Sequence, residues 1–210
     1  MSLFYVRMPL TRLPDPKILT EKVRCRAKIG RTHWRAHLDM VPDSMPYKKD
    51  IATYCKALQI FERRGLGLLL YGSLGSGKTS LGTIALKYCL AKGGRALSFR
   101  VAYMLDQLIS FKPRELPNGA PLIEGLENVN LLLLDDLEKE TDRRRIAALE
   151  TVIRARYDDE LPTIITTNLK KEDVFEFEWL KSMLHDSYYH YKVEGINWRA
   201  LPPSPPPSAQ

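Results

Sequence analysis

Residues 72–79 read Gly72-Ser73-Leu74-Gly75-Ser76-Gly77-Lys78-Thr79. The spacing is that of the G-x-x-x-x-G-K-[ST] phosphate-binding loop. Glycines let the backbone curl so that successive N–H groups converge on one spot. A helix beginning at the loop adds the positive end of its dipole. Lys78 can reach terminal phosphates, and the Thr79 hydroxyl can ligate Mg²⁺. A second cluster follows 56 residues after Thr79, where Leu131-Leu132-Leu133-Leu134 runs into Asp135-Asp136. Asp135 at a strand end can hold a metal opposite Thr79, and Asp136 can polarise an attacking water. Asn168, after the β-branched stretch 162–167, can reach a terminal phosphate or its water. The plainer alternatives are a glycine-rich turn, a surface Asp-Asp turn and a turn-forming asparagine.

These residues need elements to position them. The apolar run Gly67–Tyr71 predicts a buried strand before the loop. Leu81, Ile84, Ala85, Tyr88 and Cys89 recur at helical spacing after it, and Gly93-Gly94 predicts the stop. Further strands are expected at 95–101, 130–136, 162–167 and 188–194. Helices are expected at 47–64, 102–111 and 142–158, and a loop at 112–121. Strands alternating with helices predict an α/β fold, a parallel central sheet with helices on both faces. Upstream, Asp15-Pro16 is a helix-start signal, and Leu19, Val23 and Ala27 recur among lysines and arginines. This predicts one short basic amphipathic helix ending near Gly30. The reading divides the chain into a basic extension and linker (1–46), a nucleotide domain (47–200) and a proline-rich, disordered tail (201–210).

Charge supports that division. The chain of 210 residues has a net charge of +7. Residues 1–64 hold 14 Lys/Arg against 6 Asp/Glu, and the remainder holds 18 against 19, so the extension carries the whole excess. Such an arm suits a polyanion or an acidic partner; a merely solubilising arm is the alternative. No apolar run approaches membrane-spanning length and no secretory signal is recognisable, which predicts a cytoplasmic protein. Cys25, Cys55 and Cys89 form no C-x-x-C, so a disulfide framework or cysteine zinc site is not supported. His33 and His37 stand four apart and could share a helix face, most simply as a surface pair.

The combination resembles the DnaC/IstB branch of the AAA+ P-loop ATPases. Leu149-Glu150-Thr151-Val152-Ile153-Arg154-Ala155-Arg156-Tyr157 and Leu161-Pro162-Thr163-Ile164-Ile165-Thr166-Thr167-Asn168-Leu169 carry most of the likeness. His33-Trp34-Arg35-Ala36-His37-Leu38-Asp39 is similar to the branch's lead-in, and Gly195-Ile196-Asn197-Trp198-Arg199 to its closing segment. The resemblance implies an ATPase of DNA replication that acts with a replicative helicase and single-stranded DNA, or a helper of a transposase. It implies ATP and Mg²⁺ as cofactors and an ATP-dependent homo-oligomer. Gly72, Gly75, Ser76, Gly77, Lys78, Thr79 and Ser80 would bind the nucleotide, and Thr79 and Asp135 the metal. Lys78, Asp136 and Asn168 would serve catalysis, with Arg199 as a second sensor. One departure is Met183, which stands where the family carries an arginine that reaches a neighbour's ATP; Lys181 lacks the planar fork. A P-loop small-molecule kinase and a nucleotide-binding adaptor with little hydrolysis are the other readings. Candidate DNA-phosphate contacts are Arg143, Arg144, Arg145, Lys112, Arg114 and the N-terminal arm, with a solvated helix end as the plainer account of the triplet.

Overall fold

The computed structural model describes residues 15–58, 64–110, 115–116, 121–174 and 177–194. Arg199 and its segment, Phe61, Lys112, Arg114 and the proline-rich tail lie outside the described residues.

Five parallel strands form one sheet: β1 (Gly67–Tyr71), β2 (Ala96–Arg100), β3 (Leu131–Leu137), β4 (Thr163–Thr167) and β5 (Tyr188–Lys192), in the order β2-β3-β4-β1-β5. Parallel strands need crossovers, so helices cover both faces. The leucine runs divide by strand parity. Leu68, Leu70, Leu131, Leu133 and Ile164 face one layer, with α2 (Lys48–Lys56) and α3 (Lys78–Ala91). Leu69, Leu132, Leu134 and Ile165 face the other, with α4 (Val101–Leu108), α5 (Leu122–Asn128), α6 (Arg143–Asp158) and α8 (Glu178–Ser187). A four-residue α7 (Lys171–Val174) joins β4 to α8.

The sequence assigns no element to α5, α7 or α8. It also predicts one N-terminal helix where the structure has two pieces. A 3-10 turn at Pro16–Ile18 follows Asp15, whose side chain accepts from Lys17 N. The chain then extends, and α1 (Glu21–Arg26) restarts with Thr20 as its cap. The helix stops at Ala27, with Lys28 taking the left-handed conformation (φ 59°) before Gly30 is reached. His33 and His37 do not share a helix. His33 ends a 3-10 turn at Arg31–His33, and His37 is the extended residue before the next turn, Leu38–Met40. Residues 15–46 pack on the α3 face: Ala27, Ile29, Ala36 and Val41 belong to the same core cluster as Leu81, Ile84 and Ala85. Ser98 N, on the edge strand β2, donates to Ala27 O at 2.9 Å.

Two buried cations hold the layers in place. Lys87 on α3, 1% exposed, donates to Trp34 O at 2.9 Å and Ala36 O at 2.7 Å. Arg156 on α6 is fully buried and donates to Thr163 Oγ1, Leu126 O, Val129 O and Pro162 O at 2.7–2.9 Å. Each satisfies backbone carbonyls that burial would otherwise leave without donors.

Candidate functional site

β1 ends at Tyr71 and the chain turns at once. Gly72 has φ 141°, and a Cβ there would meet the Val193 carbonyl oxygen at 2.4 Å. Only glycine fits where the end of β5 passes. The loop closes at Gly77, whose φ of 96° makes it a left-handed cap for α3. Leu81 N donates to Gly77 O at 3.0 Å. The amides of Lys78, Thr79 and Ser80 therefore sit in the first helical turn, where a helix offers its N–H groups to an anion.

Lys78 is 7% exposed. Its Nζ donates to Gly72 O at 2.9 Å, Ser73 O at 2.7 Å and, across the sheet, Asn168 Oδ1 at 2.9 Å. Asn168 in turn donates through Nδ2 to Asp136 Oδ1 at 2.9 Å. Lysine, amide and carboxylate thus form one connected chain between the phosphate-loop helix and the end of β3.

The two acids reach the same place by a distortion of β3. The sequence ends that strand at the carboxylates, yet it continues through Asp135 and Asp136 to Leu137. The register against β4 shifts between Leu134 and Leu137, and Asp136 takes a left-handed backbone, φ 63°. In a regular strand consecutive side chains would point to opposite faces; a bulge re-aims one of them. Thr166 secures the distortion. Its hydroxyl donates to Asp135 Oδ1 at 2.7 Å and accepts from Asp136 N at 2.9 Å.

A cavity of about 510 Å³ joins these groups, lined by Gly75, Gly77, Lys78, Thr79, Ser80, Asp135, Asp136 and Asn168. Gly72 and Ser76 hold Lys78 from the loop side. All predicted loop and strand-end residues therefore meet at the carboxyl ends of the strands, as the topology of open α/β sheets requires. A hydroxyl at Thr79 and a carboxylate at Asp135 are hard oxygen donors, suited to Mg²⁺ that keeps waters and substrate oxygens as its other ligands. Among the described residues no cluster of three or more His, Cys, Asp or Glu is placed to hold a metal. A second cavity, of about 550 Å³, lies between α1 and the start of β2 and contains none of the predicted site residues.

The structure adds residues that sequence reasoning passed over. Arg100 ends β2, pairs in register with Asp135 and lines the cavity; the strand-end rule that singles out Asp135 selects it equally. Thr166 is one of two threonines between Ile165 and Asn168, and the sequence does not tell it from Thr167. Thr32 and His33 also line the cavity; the sequence reads His33 as half of a surface pair and as part of the lead-in segment, and nothing local places either residue at the phosphate loop. The arginine triplet is split. Arg143 and Arg144 are exposed, whereas Arg145 turns inward to Glu140 at 2.5 Å and to Asp106 on α4. Arg145 thus ties α4 to α6 and is not an available phosphate contact. Met183 is 3% exposed, within the core beneath α8; Lys181 is the exposed cation of that turn. No described helix is long and apolar enough to cross a membrane.

No protein-family model matches the sequence, and no curated protein does. Solved structures do match. The structure of a DnaC helicase loader is similar with a TM-score of 0.61 at 21% identity, over 79% of this chain and 100% of that one. A DnaI structure is similar with a TM-score of 0.61 at 23% identity, over 81% and 94%. AMPPCP-bound DnaA from Aquifex aeolicus is similar with a TM-score of 0.58 at 17% identity, over 77% of this chain and 51% of that one. Identities this low speak to architecture alone. This chain shares the fold of these structures, a parallel α/β sheet with helices on both faces.

Proposed function

We propose that the protein is an ATPase that assists DNA replication in the manner of a helicase loader, working with single-stranded DNA and a replicative helicase. The observation that carries this reading is the chain Lys78–Asn168–Asp136 across one cavity. It joins the group suited to terminal phosphates with the groups suited to water activation. A kinase needs a base for a substrate hydroxyl, whereas this arrangement places an amide and a second acid where water would be oriented.

In this reading the loop amides, Lys78 and Ser80 bind the triphosphate, and Thr79 and Asp135 hold Mg²⁺. The ion, when bound, offsets the charge that develops on the phosphoryl oxygens. Thr166 fixes the Asp135 carboxylate, and Asp136, oriented by Asn168, takes a proton from water. Arg199 is a further contact in the proposal. Because Met183 lies in the core, α8 supplies no arginine to a neighbouring subunit there, and turnover by the protein alone is slow. ATP closes the site and favours self-association, and exposed cations including Arg143 and Arg144 meet the DNA backbone, so binding falls steeply with salt. The helper of a transposase is the same chemistry with a different partner.

The test is phosphate release with and without single-stranded DNA. Stimulation by DNA supports the reading. Consumption of ATP only with an added small acceptor identifies a kinase. Tight binding with no release identifies an adaptor. Co-purification with the host's replicative helicase or with a transposase then separates the two partners.

A further inference from the structure

Part of the cavity wall comes from a segment far from the phosphate loop in sequence. Thr32 and His33 line it beside Lys78, Thr79 and Ser80. His33 Nδ1 lies 3.3 Å from Ser80 Oγ, and Ser80 is the third residue of α3, in the turn whose amides face an anion. The segment behind His33 is tied to α3 through its main chain. Lys87, two turns further along the same helix, donates to the carbonyls of Trp34 and Ala36. Trp34 Nε1 donates to Ile29 O at 3.0 Å. The guanidinium carbons of Arg24 and Arg31 each lie 5.4 Å from the Trp34 ring centroid, within cation–π range. The cavity-lining imidazole of His33 is therefore the immediate chain neighbour of an indole flanked by two arginines of the most basic stretch of the chain.

We propose that His33 contacts the phosphate chain of the bound nucleotide, and that its contact passes occupancy of the cavity to the Trp34–Arg24–Arg31 cluster. The proposal rests on the reading of the cavity as a nucleotide site and adds a regulatory link to it. A phosphate seated on the first turn of α3 competes with Ser80 for the His33 side chain. Because Lys87 fixes the carbonyls on the far side of Trp34, the resulting movement is taken up by the indole and its two guanidinium neighbours. The exposed cations around them, among them Arg26, Lys28 and Arg35, are then presented differently with and without ATP. His33 is a binding and relay residue here, with no proton transferred.

The full chain is titrated with Mg²⁺·ATP by calorimetry and by tryptophan emission. His33→Ala is expected to weaken binding at least tenfold with an unchanged unfolding midpoint in the absence of nucleotide. His33→Asn, which keeps a donor near the Nδ1 position, is expected to stay within threefold of the parent and covers the case in which the alanine variant does not fold. The ATP-dependent emission change is expected to vanish in Trp34→Phe and to shrink by at least half in saturated His33→Ala. Parent-like affinity in His33→Ala, equal losses in the asparagine and alanine variants, or an emission change that survives Trp34→Phe overturns the proposal. A parent that binds no ATP overturns the nucleotide-site reading and this inference together; a parent that binds while the His33 variants match it overturns this inference alone.

Discussion

Lys78 and Lys87 lie on one helix, both nearly buried, and serve opposite regions of the molecule. Lys78 sits at the open end of the sheet, held by two loop carbonyls and by the Asn168 amide, itself bonded to Asp136. Lys87 sits against the docked N-terminal segment, held by the carbonyls of Trp34 and Ala36. The first set includes a side chain that can turn to another partner. The second is main chain fixed by the packing around it. The difference shows that burial of a cation does not mark a site; what marks it is whether its partners can be exchanged for a ligand's.

Four substitutions separate the two regions. The largest effect is expected from Asp136→Asn, which should lower ATP turnover by about 10²–10⁴ while nucleotide binding persists; phosphate release measured at saturating ATP checks it. Lys78→Ala should abolish the stabilisation that ATP confers, about 3–4 kcal/mol at ligand concentrations of 100–1,000 times the dissociation constant. Equal shifts in melting temperature for mutant and parent would remove Lys78 from the site. Lys87→Ala should act before any ligand is added, costing about 2–4 kcal/mol in urea unfolding as two buried carbonyls lose their donor. The smallest effect is Arg144→Ala. Arg144 pairs with Asp142 at 3.8 Å on an exposed helix end, and stability should change by less than about 0.5 kcal/mol.

Lys87 also sharpens the contrast through pH. Burial, with Arg24 contributing, lowers its pKa from the model-compound value of 10.5 to about 8. Between those values the unfolded chain holds the proton more tightly than the folded one. Its contribution to stability therefore rises as pH climbs from about 8 to 10.5 and is lost as pH falls back through 8. Unfolding free energies of the parent minus those of Lys87→Met, followed from pH 7 to 10, should increase with pH; a flat difference would mean that the amine keeps its ordinary affinity for a proton.

Much of the site was legible because its residues announce their own geometry. The loop, its strand and its helix follow from glycine placement and apolar spacing, and β1 has the predicted bounds. The acids stand out because they directly follow a run of four leucines. What stayed hidden depends on tertiary packing. Lys87 and Arg156 look like ordinary surface charges, since such residues are seldom buried. The left-handed backbone at Asp136 has no glycine to signal it. His33 is a neighbour of Ser80 only because the segment 15–46 folds back on α3. The helices α5 and α8 leave only a weak imprint on the sequence although Leu122, Leu126, Leu180 and Leu184 are buried, because they have few turns and no strong cap.

The bond from Ser98 to Ala27 has a consequence for anyone trimming this protein. β2 borders the sheet, and an uncovered border strand is a template for another chain. Deleting residues up to about 30 removes the strap laid along it. The shortened protein would then tend to clump through strand addition, a loss of solubility easily mistaken for a loss of fold.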